Sequence, residues 1–411
     1  MLVARVESGS DESGRGRLPP SPVGSVSGVD NQQGYARFAG LEARRPVEMV
    51  DLATDPQALQ RGGTWFVVAE FEGRARAWRF ADVTHVPVTG GAPGGAQGGQ
   101  AAWVGPRPQA WSSSLDREAY VDAVRRVREH VRAGTVYQAN ICRVLDAPLP
   151  RAGGVEPDPR ALADRLAAGN PAPYQGVVHV PAASAPVAPG PVRGAPLDPV
   201  WVVTASPELY LRVDGLAGSG PATITSAPIK GTARTVDGLT AKDEAENVMI
   251  TDLVRNDLQR VCSPGTVTVT TLLDVEEHPG LVHLVSTVTG QLLPQLAAAD
   301  DLWATLLTAT FPPASVSGAP KSSALRVIDE LETAPRGPYC GAVGWVDADA
   351  GTAELAVGIR TFWWSEDQAS QPGRLRFGTG AGITWGSDPE REWDETELKA
   401  ARLIALASAA D

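Results

Sequence analysis

The sequence SAPIKGTAR at residues 226–234 is the stretch around which the rest of the chain can be arranged. A β-like run at 222–225 precedes it, and a long charged segment of helical character follows it. Pro228 fixes its own φ angle and removes a backbone donor, whereas Gly231 permits a tight bend directly after Lys230. An isolated Pro-x-Lys-Gly is usually a solvated turn, so only the remainder of the chain can favour Lys230 as a nucleophile.

The composition is typical of a globular protein that exceeds one average domain. The 411 residues are 43% hydrophobic and 20% charged, with a net charge of −12. This acidity argues against nucleic acid or an anionic membrane as partner, so an anionic substrate needs a metal or a few placed cations. The three cysteines (Cys142, Cys262, Cys340) have no metal-type spacing. No run resembles a signal sequence or a membrane span, and we expect a cytoplasmic protein.

The organisation along the chain is one domain after a polar leader. Gly, Ser, Pro and charged residues without periodicity predict a flexible leader at 1–33. A single domain is expected over 34–411, with a strand-rich part at 34–112 and a core with the candidate site residues at 113–411. The Pro-, Ala- and Gly-rich residues 181–199 predict an inserted loop.

Hydrophobic periodicity predicts both helices and strands. Helices are predicted at 116–133, 239–260, 300–310, 320–332 and 390–409. Strands are predicted at 65–71, 75–80, 136–145, 266–273, 283–292, 341–347, 353–361 and 375–383. On the strand 136–145, the side chains of Gln138, Asn140 and Cys142 share one face. Runs of strands with helices between them indicate an α+β fold built on large, mainly antiparallel sheets.

Two predicted helices carry carboxylate pairs at helical spacing. Asp243 and Glu246 are three residues apart, as are Glu392 and Glu395, and Lys399 lies one turn beyond Glu395. Such pairs are usually solvated surface acids, and spacing alone leaves their convergence open. If both faces converge, the carboxylates need a cation, and an all-oxygen site suits Mg²⁺. We then expect Glu246 and Glu395 to bind Mg²⁺ directly, and Asp243 and Glu392 to bind it through water.

An ordered set of motifs resembles the chorismate-utilising enzymes, which include anthranilate synthase component I, aminodeoxychorismate synthase component I, and isochorismate and salicylate synthases. The motifs are YQAN at 137–140, NPAPY at 170–174, SPE at 206–208, PIKGT at 228–232, DEAEN at 243–247, DLVRND at 252–257, HLVST at 283–287, SGAPK at 317–321, GIRT at 358–361, GAGI at 380–383 and EWDET at 392–396. The resemblance covers the C-terminal two-thirds of the chain. It implies two large β-sheets packed as a sandwich, helices outside, and a Mg²⁺-chorismate site between the sheets.

The resemblance also implies a role for each candidate residue. Mg²⁺ held by Glu246 and Glu395 would bind the ring carboxylate of chorismate. The enolpyruvyl carboxylate would be held by Arg360, Tyr339, Lys399 and the backbone amides of Gly380, Ala381 and Gly382. His283 and Thr287 would contact the ring, although a satisfied core histidine is favoured over a chemical role for His283. Glu208 would be the general acid that protonates the departing C4 hydroxyl.

Two positions separate the members of this family. Isochorismate and salicylate synthases have a lysine base where this chain has Gln138, so activation of water is disfavoured. Anthranilate-type enzymes have alanine where this chain has Lys230, and a lysine there resembles aminodeoxychorismate synthase component I. The resemblance implies that the neutral amine attacks C2 and expels the C4 hydroxyl, after which ammonia attacks C4 and expels the lysine. Ser315 agrees with this member, whereas Ala314 stands where the family usually has glycine.

The source of ammonia is expected to be another protein. None of the three cysteines lies in a Gly-x-Cys-x-Gly elbow, so the resemblance implies a separate glutamine amidotransferase subunit. Two alternatives stay open: anthranilate synthase component I with an unusual lysine, and a non-catalytic chorismate-binding partner of an amidotransferase. The presence of Glu208, Lys230, Glu246 and Glu395 together argues against the second. Whether the product enters folate biosynthesis or secondary metabolism also stays open.

Overall fold

The computed structural model describes residues 34–86, 102–182, 197–233, 235–278, 281–366 and 372–409. The predicted leader at 1–33 lies outside the described residues, as does most of the predicted loop at 181–199. None of the helices in the described part of the chain has both the length and the apolar character needed to cross a membrane.

The described residues form eighteen strands and seven α-helices. The strands are β1 (Tyr35–Phe38), β2 (Leu41–Asp51), β3 (Thr64–Ala69), β4 (Ala75–His85), β5 (Ser112–Ser113), β6 (Gln138–Pro148), β7 (Tyr174–Val180), β8 (Val200–Ser206), β9 (Leu209–Asp214), β10 (Thr223–Ala227), β11 (Ile229–Ala233), β12 (Thr268–His278), β13 (Leu281–Gln291), β14 (Gly318–Ala319), β15 (Ala342–Asp347), β16 (Thr352–Val357), β17 (Thr361–Ser365) and β18 (Arg374–Ile383). The helices are α1 (Arg117–Arg132), α2 (Pro159–Gly169), α3 (Ala241–Gln259), α4 (Pro294–Ala297), α5 (Leu302–Thr310), α6 (Lys321–Leu331) and α7 (Pro389–Ala407).

Every strand pairing among the described residues is antiparallel, which confirms the predicted sheet type. The first half runs in the order β12, β13, β10 with β11, β9, β16, β15, β3, β4, β2. The second half runs β1, β7, β8, β17, β18, β6, with β5 and β14 beside β6. Because β1 also pairs with β2, the two halves are joined by hydrogen bonds.

The two halves pack as layers, and the alternation of side chains along β7 and β8 shows how. Val178 and Val202 belong to the same buried cluster as Trp65 and Trp78 of β3 and β4. Their neighbours Val177 and Val203 point the other way and pack with residues of α2 and α7. The second layer is therefore buried on both faces, between the first layer and the helices.

The remaining helices cover the other surfaces. Ile250 and Val254 of α3 pack with Trp303 of α5 and Val288 of β13 over the first layer. The side chains of α1 and α6 pack against Ala139 and Ile141 on the outer face of β6. Helix α3 begins with a capping box between Thr240 and Asp243. The predicted α+β architecture with helices outside is thus confirmed.

The predicted strand at 353–361 is wrong in part, because the chain breaks it at 358–360. β16 pairs with β15 and β9 in the first layer, whereas β17 pairs with β8 and β18 in the second. The break is the crossing between layers, and Arg360 within it has φ +51°. A non-glycine residue in the left-handed region is uncommon and is often found at functional sites.

Candidate active site

Lys230 lies on β11 and extends from the first layer toward the second. The bend predicted after it is present, since Gly231 has φ +86°. A Cβ atom at Gly231 would lie 2.8 Å from the Asp243 Cβ, so the glycine also permits the close approach of α3. A Cβ atom at Gly382 of β18 would lie 3.3 Å from the Lys230 Nζ. The lysine ammonium therefore occupies the space between the two layers.

Glu208 is buried in the turn between β8 and β9, and only 3% of it is exposed. Burial raises the pKa of this carboxyl to about 7, while the nearby Ser315 hydroxyl, the Lys230 ammonium and the Ile229 N–H act in the opposite direction. A carboxyl group with its pKa raised this far can carry a proton near neutral pH. Glu208 is thus suited to donate a proton to a leaving group beside Lys230.

Gln138 of β6 presents an amide without a partner to the same space. The residue is 1% exposed, yet neither Oε1 nor Nε2 has a hydrogen-bond partner among the described residues. A Cβ atom at Gly382 would lie 2.4 Å from the Gln138 Nε2, which explains why glycine is required there. Buried amides are normally paired, so this one indicates a site that a ligand completes.

The strand β18 offers two backbone amides on its open side. The N–H groups of Asn140 and Cys142 on β6 point away from β18. They donate at 2.8 Å each to the Ser317 carbonyl and to the Glu332 Oε1. Asn140 and Cys142 face Gly382 and Gly380, so these glycines also point their N–H groups away from β6. β17 runs beside only the first four residues of β18. The Ala381 N–H faces β6, and only two of the three predicted amides are therefore open to a ligand.

Arg360, in the crossing between the layers, meets His283 of β13. The Arg360 Nη2 lies 3.4 Å from the His283 Nε2. Burial lowers the pKa of Arg360 to about 10, and no carboxylate pairs with it among the described residues. Thr287 lies four residues along β13 from the buried His283, so both side chains face the same way. A buried guanidinium without an anionic partner is unfavourable, so binding an anion such as a substrate carboxylate would stabilise it.

Tyr339 is buried against β18 with its hydroxyl directed to a cysteine. Its oxygen lies 3.7 Å from the Cys142 Sγ, and a Cβ atom at Gly378 would lie 2.1 Å from its ring. Burial raises the pKa of Tyr339 well above its usual value. The structure places Tyr339 beside the glycines of β18, and its contact with a substrate carboxylate stays a prediction.

The carboxylate helices α3 and α7 converge, which the sequence left open. Lys242 of α3 places its Nζ 3.5 Å from the Glu246 Oε1 and 3.5 Å from the Glu392 Oε1 of α7. One turn further along α7, the Lys399 Nζ lies 2.6 Å from the Glu395 Oε1 and 3.1 Å from the Gly380 carbonyl oxygen. The pKa of Glu395 is lowered mainly by Lys399. Helix α7 therefore lies along the open side of β18.

The described carboxylates meet the chemical requirements of Mg²⁺, although lysines contact them in this arrangement. No three His, Cys, Asp or Glu side chains of the described residues are arranged as a ready metal site. The Glu246 Oε1 is nevertheless buried without a hydrogen bond, and Glu392 faces it across Lys242. Asp243 uses its Oδ2 to accept from the Thr240 N–H at 2.9 Å, so its first role is to cap α3. The Mg²⁺ site stays a prediction with a suitable all-oxygen donor set.

A separate cavity of about 740 Å³ lies away from this site. It is formed by the turn between β3 and β4, the end of α5 and helix α6, and Phe71, Leu307, Ile328 and Glu332 are among its lining residues. None of the predicted site residues lines it. The candidate site is therefore not this cavity. It is the space bounded by β11, β18, α3 and α7, where the charged and unpaired polar side chains meet.

Comparison with known proteins agrees with this geometry. Residues 99–405 match the family model described as chorismate binding enzyme. The chain belongs to this family.

Relatives of two kinds are found at similar identity. Anthranilate synthase component 1 of Saccharolobus solfataricus is 34% identical over 297 residues, which cover 70% of this chain and 62% of the relative. Aminodeoxychorismate synthase component 1 of Escherichia coli is 33% identical over 306 residues, which cover 72% of this chain and 58% of the relative. The chain thus spans about three-fifths of the length of these relatives. Identity alone does not separate the two kinds.

A solved structure supports the fold of this chorismate binding family member. The anthranilate synthase component I from Streptococcus pneumoniae superposes with a TM-score of 0.67 at 20% identity, covering 95% of this chain and 94% of the other. At this identity the likeness shows the fold alone.

Asn247 supports the candidate site of this family member, and the sequence did not predict it. Its Nδ2 donates to the Leu284 carbonyl at 2.9 Å and is 3.4 Å from the Lys230 carbonyl. Its Oδ1 accepts from the Ser286 hydroxyl. Asn247 therefore ties α3 to β11 and β13, and it follows Glu246 directly in the chain. A buried asparagine within the charged DEAEN motif was the available signal.

We expect Asn247→Ala to lower the free energy of unfolding by roughly 1–3 kcal/mol, because buried carbonyls and a hydroxyl lose their partner. Urea denaturation measures this, with Asn256→Ala on the same helix as the control. An unchanged midpoint would mean that the bonds of Asn247 are not maintained in solution.

Lys321 explains why the SGAPK and DLVRND motifs occur together in this family member. Its Nζ lies 2.7 Å from the Asp257 Oδ2 and donates to the Thr310 and Pro312 carbonyls at 2.8 and 2.9 Å. These bonds fix both ends of the segment that carries Ser315, next to Glu208. The two motifs thus stabilise the segment that places Ser315 next to Glu208.

Proposed function

We propose that the chain converts chorismate and ammonia to 4-amino-4-deoxychorismate, as the name of its relative aminodeoxychorismate synthase component 1 describes. The observation that carries the proposal is the position of Lys230. Its charge acts on the buried Glu208, and its ammonium lies near Gly382 and the unpartnered amide of Gln138. A nucleophile, a proton donor and a polar group thus surround one space between the layers.

The open side of β18 suits the carboxylates of chorismate. The N–H groups of Gly380 and Gly382 and the guanidinium of Arg360 are donors for the enolpyruvyl carboxylate, and Lys399 lies beside them. Glu246 and Glu395 would hold Mg²⁺ directly, and Asp243 and Glu392 would bind it through water. When bound, Mg²⁺ would neutralise the ring carboxylate.

The chemistry is two allylic displacements. The neutral Lys230 amine forms a bond to C2, the double bond shifts, and the C4 hydroxyl leaves as water with the proton of Glu208. Ammonia then forms a bond to C4, the double bond shifts back, and Lys230 leaves as an amine. The amino group therefore ends at C4, and pyruvate is retained.

The position of Gln138 supports ammonia as the second nucleophile. A glutamine amide cannot take a proton from water as a lysine base does, but its oxygen can accept a hydrogen bond from ammonia. We propose that a separate glutamine amidotransferase subunit supplies ammonia and that free ammonium replaces it in vitro.

Glu208→Gln is expected to reduce the rate of chorismate consumption by a factor on the order of 10²–10⁴. Because the pKa of Glu208 is about 7, the wild-type activity that depends on its proton should fall as the pH rises above this value. The variant should lose that limb of the pH profile. Glu330→Gln, an exposed position on α6, serves as the control. An effect of Glu208→Gln confined to KM would mark a binding residue.

Product identification tests the proposed function. Incubation with chorismate, Mg²⁺ and ammonium should give 4-amino-4-deoxychorismate by mass, without pyruvate. Anthranilate with an equal amount of pyruvate would instead assign the chain to the anthranilate synthase type, which has similar identity. Intact chorismate with a folded protein would support a non-catalytic binding role.

A further inference from the structure

Among the residues that the structure describes, Lys242 is the cation between the carboxylate helices that no predicted role uses. Its side chain is 50% exposed, whereas those of Glu246 and Glu392 are 16% and 5% exposed. The ammonium therefore reaches from the rim of the site to two acids that are largely removed from water. At 3.5 Å, the contact with Glu392 is at the long limit of a hydrogen bond, whereas the contact with Glu246 is an ion pair without a hydrogen bond.

The position of Lys242 is unfavourable for α3 itself. It lies in the first turn, where the helix dipole favours acidic side chains and disfavours a cation. The residue is also one of only four lysines among 36 Lys and Arg residues. The other three, Lys230, Lys321 and Lys399, all have an assigned place in the site or its support. The presence of Lys242 is thus best explained by the ion pairs that its ammonium forms with Glu246 of α3 and Glu392 of α7.

Removing Lys242 would leave Glu246 without its ion-pair partner among the described residues, and would leave Glu392 with Lys399 as the cation that acts on it. Lys399 is already held by Glu395 and by the Gly380 carbonyl, so it is not free to replace Lys242. Two carboxylates in a partly buried site repel unless a cation lies between them. Either Lys242 or a metal ion can meet this requirement, and the two compete for the Glu246 carboxylate.

We infer that the Lys242 ammonium, which contacts Glu246 and Glu392, neutralises these carboxylates in the absence of Mg²⁺ and leaves Glu246 when Mg²⁺ binds. This inference rests on the metal site of the proposed function. A lysine suits the role because its ammonium is a compact point charge on a flexible stem. An arginine would grip a carboxylate through two parallel bonds and release it less readily.

Calorimetric titration with Mg²⁺ in the absence of chorismate tests the inference. Lys242→Gln removes the competitor and should tighten Mg²⁺ binding by roughly two- to fivefold, the scale of one partly exposed ion pair. Lys242→Arg should weaken it. Arg255→Gln removes a cation from the same helix, where it pairs with Asp252, and should bind Mg²⁺ like the wild type.

Thermal unfolding with chelator and with saturating Mg²⁺ gives a second readout. Lys242→Gln should lower the Tm with chelator and leave the Tm with Mg²⁺ close to that of the wild type, so Mg²⁺ should stabilise the variant more. Equal or weaker Mg²⁺ binding by Lys242→Gln would overturn the inference, because the lysine would then be neutral or supportive toward the metal.

The outcome also separates this inference from the proposed function. A wild-type protein that binds no Mg²⁺ would overturn both the metal site and the role of Lys242. Tighter binding by Lys242→Gln together with a product other than 4-amino-4-deoxychorismate would uphold the inference and reject the proposed function.

Discussion

Lys230→Ala is expected to slow the formation of 4-amino-4-deoxychorismate on the order of 10³-fold or more, because the group that forms the bond to C2 is lost. The substitution also opens space between β11 and Gly382, where the Lys230 Nζ now lies. Ammonia or water could then attack C2 directly. We expect the remaining product to shift toward 2-substituted isomers, and chromatography with mass detection measures both effects.

Two further variants separate the nucleophile from a simple positive charge at position 230. Lys230→Met keeps most of the side-chain volume without a nucleophile and should be as slow as Lys230→Ala. Lys230→Arg keeps the charge, so it should retain activity only if charge is the whole contribution. A Lys230→Ala enzyme that makes 4-amino-4-deoxychorismate at a near-normal rate would reject the nucleophilic role.

Glu246→Gln and Glu395→Gln are each expected to abolish turnover while the fold is retained. Each change replaces a charged oxygen ligand by a neutral amide in a site that we propose for a hard cation. Steady-state rates across a range of Mg²⁺ concentrations, together with circular dichroism, measure the outcome. Glu244→Gln, at an exposed position on the same helix, is the matched control. Full wild-type activity in excess chelator would contradict the metal requirement.

The features that the sequence predicted are those that depend on local geometry. The bend after Lys230 follows from Gly231, and the helical spacing of Asp243 with Glu246 and of Glu392 with Glu395 follows from the helix period. Alternation on β6 predicted the shared face of Gln138 and Cys142, which the structure confirms. Each of these needs only a few consecutive residues.

The features that the sequence did not predict depend on contacts between distant segments. Periodicity could not show that the chain changes layers at Arg360, because the residues on both sides of the break favour strands. The direction of the Ala381 N–H depends on which edge of β18 pairs with β6. Lys242 and Asn247 acquire their roles from α7, β11 and β13, so only the folded chain shows them.

The most direct test of the central claim is mass spectrometry of the enzyme after incubation with chorismate and Mg²⁺ in the absence of ammonia. Without a second nucleophile, the intermediate on Lys230 should accumulate. We predict a mass gain equal to chorismate less one water, located on the peptide that contains Lys230 and absent from Lys230→Ala. Unmodified Lys230 in an enzyme that makes 4-amino-4-deoxychorismate once ammonium is added would contradict the covalent route.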